Sequence, residues 1–274
     1  MATAKGRETS AVVVRTRALR ESDLVVVLVT PELGKVACIA RGARKSRKRF
    51  AGGLPIGAIG EARIAPGRGS LEVLEAFVPQ RDHSRLGRDL EVFAYVAYLC
   101  ELADELSADS ERDPALFAIL VDAIEQCMVG GAQAAILRAF ELRLLASLGL
   151  LPELETCAVC GDAVGGANHV PFDLQRGGAL CLKHQGGARL ESRALLELAR
   201  TLLEDGGNCA LEDRGLGPGI RRGLRDLCLA LIRRQLRRPL RSVAFFAQLP
   251  KPGSASPDRA LDALVGDAAT DEEE

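Results

Sequence analysis

The chain contains no tryptophan, and aromatic residues make up only 4% of its 274 positions. Its cores must therefore rest on Leu, Val, Ile and Ala, and flat platforms for stacking bases are few. No window of about 18 apolar residues occurs, so a membrane span is not expected. The opening "MATAKGRETS" lacks the apolar stretch of a secretory signal, which leads to the expectation of a cytoplasmic protein with no membrane partner. Nothing matches a Walker A phosphate loop or a His-x-Glu pair, and the three histidines form no obvious catalytic set. A protein that is not an enzyme is the expectation.

An excess of charge is also missing, since 36 Lys and Arg stand against 37 Asp and Glu. The balance hides an asymmetry: basic against acidic residues number 14 to 7 over residues 1–80 and 6 to 12 over 81–150. Positive charge is concentrated in the first module, which points to an anionic partner there.

What is present is globular in texture, with 47% hydrophobic and 27% charged residues, and long enough for two or three modules. Residues 1–80 carry five β-branched runs: "AVVVRTRAL", "LVVVLVT", "GKVACIAR", "IGAIGEARIA" and "SLEVLEAFV". Short strands with a long third connection fit an OB-fold barrel, with another small barrel or sandwich as the alternative. Residues 81–155 turn helical, in "LEVFAYVAYLCELADEL", "PALFAILVDAIEQCM" and "AQAAILRAFELRLLASLGLL", and Pro114 is well placed to open a helix. A Gly-rich, Cys-bearing insert follows at 156–188, and helical patterns return over 189–248 at Glu191 to Glu204 and Pro218 to Arg238, with Pro239 expected to stop the last. Residues 249–274 are polar, end "DAATDEEE" and read as a disordered acidic tail. That tail is either a solubilising extension or an internal competitor for a basic face. The fold class expected is α+β multidomain: a five-stranded OB-fold barrel, then an α-helical domain with an inserted metal-binding module.

"CAVCG" and "CLKH" place Cys157, Cys160, Cys181 and His184 in a C-x2-C and C-x2-H arrangement. A two-residue gap in a tight turn aims two donors at one ion, and two such turns complete a tetrahedron. One structural Zn2+ is the expected cofactor, because the short Gly-rich intervening segment has little apolar matter to pack. A redox C-x-x-C and a zinc deaminase are the alternatives, but the first normally opens a helix in a βαβ unit and the second needs a His-x-Glu. His169 is the other candidate fourth donor. Cys38, Cys100, Cys127, Cys209 and Cys228 lie in or beside apolar runs and read as core thiols.

The densest charge is "ARGARKSRKRF", with Arg41, Arg44, Lys45, Arg47, Lys48 and Arg49 and no acid among them. Together with Arg15 and Arg17 on the first strand, these residues form the candidate DNA-binding set. Arg20, Arg63 and Arg68 add positive charge on the same module. Phosphate neutralisation by such a set is strong, salt-dependent and indifferent to base sequence. RNA or an acidic protein surface would satisfy the same charges, and Phe50 is the one aromatic beside the run. A second cluster, "RRQLRRPLR" at Arg233 to Arg241, is either a further DNA surface or a partner for the acidic helices.

The run "VVVRTRALRESDLVVVLVTPELGKVACIARGARKSRKRFAGGLP", the apolar helical middle and the "CAVC" to "CLKH" segment together resemble the RecO family of bacterial recombination mediators. The resemblance implies an N-terminal OB-fold, a helical domain and a zinc module found in part of the family. It further implies binding of single- and double-stranded DNA, annealing of complementary strands, and action with RecR to load RecA onto DNA covered by single-strand-binding protein, whose acidic C-terminal tail docks on the helical domain. An RNA- or ribosome-associated barrel and zinc-ribbon protein is the alternative reading.

Overall fold

The computed structural model describes residues 6–46, 48–50, 52–67, 69–164, 168–207 and 217–247. Arg47, Arg68, Cys209 and the expected acidic tail at 249–274 lie outside the described residues. The described chain forms two compact units, one from within Met1–Ala132 and Leu236–Leu249 and the other from within Gln133–Gln235.

In the first unit, strands β1 (Arg7–Ala18), β2 (Leu24–Thr30), β3 (Gly34–Ala40), β4 (Ile59–Ala65) and β5 (Glu72–Pro79) close into a barrel in the order β1-β2-β3-β5-β4. β1 pairs with both β2 and β4, and a short parallel contact of Cys38 with Glu72 and Ile39 with Val73 joins β3 to β5. This is the OB-like barrel that the sequence led us to expect. Side chains alternate across each strand, so in β3 Val36, Cys38 and Ala40 are buried while Lys35, Ala37 and Ile39 are only partly covered. Val13, Leu28, Ile64, Leu74 and Phe77 fill the interior with them. The fourth strand begins at Ile59, later than the expected Ile56, because Gly57 turns the chain with φ 84°. A Cβ on Gly57 would stand 2.3 Å from Val96 Cγ1, so only glycine fits both the dihedral and the helix pressed against it.

That helix is α1 (Leu90–Leu106), followed by α2 (Pro114–Gly130). Asp89 and Asp113 accept the N–H groups of Val92 and Leu116, and Pro114 occupies the first turn of α2, so both starts are written locally. α1 is buried on more than one side, at Val92, Val96, Tyr98, Leu99 and Leu102, since it packs on both β1 and α2.

The second unit contains α3 (Ala134–Ser147), a three-stranded sheet of β6 (His169–Asp173), β7 (Gly178–Ala179) and β8 (Arg189–Ser192), then α4 (Arg193–Asp205) and α5 (Pro218–Arg233). Leu142, Leu154, Val170, Phe172, Leu195, Leu198, Leu202, Leu224 and Cys228 share its core. The helical stretch read as one block is thus divided, with α1 and α2 on the barrel and α3 against α4 and α5. Two boundaries differ from expectation. Glu191 belongs to β8, where it pairs with Val170, and α5 stops at Arg233 instead of running to Arg238. Pro239 does not end it; Arg233, Arg234 and Gln235 are exposed and offer no apolar face to bury. After that exit the chain adds α6 (Arg241–Ala247) to the first unit. Glu101 of α1 accepts the N–H groups of Arg241 and Ser242 at 2.8 and 2.7 Å, and Phe245 meets Phe93 edge to face at 5.9 Å.

Candidate metal centre and nucleic-acid interface

Two turns make the first site. The first begins where Cys157 N–H donates to Asp162 O and Gly161 N–H returns to Cys157 O, each at 2.8 Å, with Gly161 at φ 75°. The second is closed by His184 N–H to Cys181 O at 2.9 Å. Both are fixed to the sheet: Ala158 N–H donates to Ala179 O at 2.9 Å and Leu180 N–H to Pro171 O at 2.8 Å. Glu153 and β7 pair so closely that a Cβ on Gly178 would lie 2.3 Å from Glu153 O. One donor atom from each of Cys157, Cys160, Cys181 and His184 falls within 4.8 Å of every other. His184 Nδ1 stands 3.5 Å from Cys157 Sγ and 3.3 Å from Cys181 Sγ, and the sulfurs of Cys160 and Cys181 are 3.8 Å apart. This Cys3His group could hold a metal ion. Arg176 supports the second turn by donating to His184 O at 2.7 Å.

Thiol chemistry agrees with that geometry. Burial opposes ionisation of Cys157, yet main-chain hydrogen bonds from Cys181, Val159 and Cys160, with the His184 ring, bring it down to about 5. At Cys160 a main-chain hydrogen bond from Asp162 favours the thiolate, but desolvation and the neighbouring sulfurs of Cys157 and Cys181 carry it up to about 11. Crowded sulfurs resist a shared negative charge unless a cation joins them. Around the group, among the described residues, the apolar cluster is small: Cys157, Leu180, Cys181 and Ala188.

The other expected donors and thiols are elsewhere. His169 is exposed on β6 opposite Ser192, outside the group. His83 Nε2 accepts the Ile59 N–H at 2.7 Å, and burial holds its pKa below the ordinary value. Burial, with Glu72 nearby, pushes Cys38 up to about 12; burial does the same at Cys127, to about 12, and raises Cys100 and Cys228 as well. These four are core thiols.

The second site is the connection between β3 and β4. Arg41, Arg44, Lys45, Lys48 and Arg49 are exposed, while Ala43, Phe50 and Leu54 insert into the barrel core. Phe50 pairs with Phe77, and Arg49 O accepts the Phe77 N–H at 2.9 Å. The loop is also tied to the β1–β2 turn: Gly42 N–H donates to Asp23 Oδ1 at 2.8 Å and Arg44 N–H to Ser22 O at 3.1 Å. Asp23 and Ser22, in the β1–β2 turn, are anchors that sequence reasoning missed, because they lie 19 residues or more from the loop residues they hold. Arg44 and Arg49 direct donors to Glu21 O and Arg41 O, and no carboxylate pairs with the five cations among the described residues. Phe50 is 2% exposed beneath the Arg49 guanidinium, whose carbon lies 5.3 Å from the ring centroid, so it offers no free face to a base.

The remaining basic candidates separate. Arg17 and Arg20 are exposed near the same end of the barrel. Arg15 instead places Nε 3.0 Å from Asp104 Oδ2 on α1, where Lys35 Nζ also lies 3.7 Å from Oδ1. Burial raises the Asp104 pKa against the pull of Arg15 and Lys35. Arg63 pairs with Glu75 at 2.9 Å, and Arg238 of the second basic cluster grips Glu105, with Nε 3.1 Å from Oε1. For Arg238 the bland reading, a partner for the acidic helices, is the one realised.

These features define a class: an OB-like barrel protein with an exposed basic loop, a helical body and a Cys3His group able to take a metal ion. No helix among the described residues is long and apolar enough to cross a membrane. Residues 5–79 match the family model described as Recombination protein O N terminal, and residues 87–244 match Recombination protein O C terminal. The chain is 38% identical over 244 residues to DNA repair protein RecO of Anaeromyxobacter sp. (strain K), covering 87% of this chain and 94% of that one. It is 36% identical over 232 residues to the Myxococcus xanthus (strain DK1622) protein of the same name, covering 84% and 92%. To that of Roseiflexus sp. (strain RS-1) it is 34% identical over 240 residues, covering 86% and 83%. The chain belongs to the RecO family of DNA repair proteins.

Proposed function

We propose that this protein is a recombination mediator that binds single- and double-stranded DNA through its basic loop, anneals complementary strands and helps load RecA onto DNA coated by single-strand-binding protein. The observation that carries the reading is the loop itself: Arg41, Arg44, Lys45, Lys48 and Arg49 are exposed, with no carboxylate paired to them among the described residues, on a barrel of a DNA repair family. Exposed Arg17 extends the surface, Arg47 belongs to the set by sequence alone, and Arg15 contributes only if it leaves Asp104. Such a loop neutralises phosphates without reading bases, so two strands held close repel less and pairing selects the partner. No covalent step is required, and cytoplasmic action beside the nucleoid follows.

In this division of labour residues 1–80 hold DNA, the helices within 81–155 and 189–248 receive RecR and the single-strand-binding protein's tail, and 156–188 is a structural module. The ion proposed there is zinc. Sulfur and nitrogen ligands at zinc bond lengths stand roughly 3.8 Å apart for a sulfur pair and roughly 3.5 Å for sulfur and nitrogen in a tetrahedron. The separations of 3.8, 3.5 and 3.3 Å support that fit. Four protein donors fill the coordination sphere and leave no site for a reacting water.

The test is titration of a labelled single-stranded oligonucleotide at several salt concentrations, with RNA of equal length as competitor. Charge reversal at Arg44, Lys45 and Lys48 should weaken binding and lower the salt slope by about 0.7 for each phosphate that is no longer neutralised. An unchanged slope removes the loop from the interface, and a preference for RNA favours the ribosome-associated alternative.

A further inference from the structure

We propose that residues 258–274 of this chain dock on its own basic loop and compete there with nucleic-acid phosphates. The docking is independent of the DNA reading; the competition rests on it. Residues 258–274 carry seven acids against the single base Arg259 and finish in four consecutive acids, whereas residues 41–49 carry six cations and no acid. Each segment is the other's electrostatic complement. The match to the family's C-terminal model stops at residue 244, so the acidic run lies beyond the part shared with that model.

Position makes the pairing feasible. α6 ends at Ala247 in the first unit, the unit that carries the loop, and Glu101 and Phe93 hold it there. From Ala247 to Asp271 is 24 residues, a span of up to roughly 80 Å when extended. A unit of this length is roughly 40 Å across, so the acidic end can reach any point on it. Tethering sets an effective concentration on the order of millimolar, and a tail contact with only millimolar intrinsic affinity is then substantially occupied. The loop is already ordered by Ala43, Phe50, Leu54 and Asp23, so docking costs little further ordering on its side. The second basic cluster is a poorer host, because Arg238 is committed to Glu105.

Two measurements on the full chain test the proposal. The first is zero-length carbodiimide crosslinking at low salt, read by peptide mass spectrometry. Lysines occur only at positions 5, 35, 45, 48, 183 and 251, so crosslinks from Asp271 to Glu274 onto Lys45 or Lys48 are expected, and their absence or a shift to Lys183 overturns the docking. The second compares oligonucleotide binding by the parent and by the D271N/E272Q/E273Q/E274Q chain. Neutralising the tail should tighten binding about three- to tenfold at low salt, with the curves converging as salt screens the contact. Identical curves at low salt overturn the competition. If neither the parent nor the tail-neutralised chain binds oligonucleotide, yet the parent forms the Lys45 or Lys48 crosslink, the docking stands and the DNA reading fails.

Discussion

The barrel and the Cys3His module hold their loops in place by opposite means. The basic loop is secured from below: Ala43, Phe50 and Leu54 are buried in a closed barrel, and Asp23 ties the loop's Gly42 from the side. Among the described residues the Cys3His turns have Leu180 and Ala188 packed beside two buried cysteines, and their donor atoms lie close together. Apolar area keeps the first loop ordered without any ligand. The second has a cluster of metal-capable donors where a core would be, and the metal proposed there would supply the missing order.

Metal removal should therefore break the comparison most visibly. Structural zinc in small modules is worth on the order of 10 kcal/mol. A strong chelator, or Cys160→Ser, should release the ion and expose residues 156–188 to protease while the barrel keeps its own unfolding transition. Equal protease resistance with and without metal would show that packing suffices. The mirror experiment is Phe50→Ala. Removing a ring that is 2% exposed should cost about 3 to 5 kcal/mol, lowering the barrel's transition and loosening the basic loop without changing metal content.

How far these two regions could be read from sequence differs for a physical reason. The five β-branched runs were legible because strand composition and alternation are local, and the starts of α1 and α2 because capping uses residues close in sequence, such as Asp89 for Val92 and Asp113 for Leu116. The Cys3His spacing was legible as two turns. His184 was legible as the fourth donor from the C-x2-H spacing, and the fold adds why His169 stays outside the group: pairing with β8 commits it to a strand. What sequence could not show is long-range. The start of α6 is capped by Glu101, 140 residues away, and the fate of Arg15 depends on Asp104 across the α1 contact. Phe50, the one aromatic beside the basic run, left little room for base stacking even in sequence, and its burial in the barrel core against Phe77 removes it as a stacking face.

Arg15 allows a sharper test within the basic set. Arg15→Ala leaves the largely buried Asp104 with Lys35 alone, at a cost of about 1 kcal/mol for a half-exposed pair. The salt slope of DNA binding should not move. Lys45→Ala should do the reverse, leaving the melting temperature unchanged and reducing the slope by about 0.7. If Arg15→Ala lowers the slope as Lys45→Ala does, Arg15 exchanges Asp104 for phosphate on binding and belongs to the interface.

The smallest effect expected is at the entrance to the Cys3His module. Glu153 Oε1 accepts the N–H groups of Leu154, Glu155 and Thr156 at 3.0, 2.9 and 3.2 Å, and those main-chain bonds, led by Glu155, hold its pKa below the ordinary glutamate value against the opposing effect of burial. A carboxylate depressed on folding stabilises the folded state above its unfolded pKa, about 4.3; that contribution is lost as pH falls through the lower folded value. Acid should thus loosen this turn before it affects the barrel, and Glu153→Gln should remove that step from the pH dependence of the second unit's stability while leaving behaviour at neutral pH nearly unchanged. The check is the melting temperature of parent and variant from pH 6 to pH 3 with metal content monitored at each point. Parallel curves would mean that the three hydrogen bonds survive protonation and that acid sensitivity resides in the metal ligands alone.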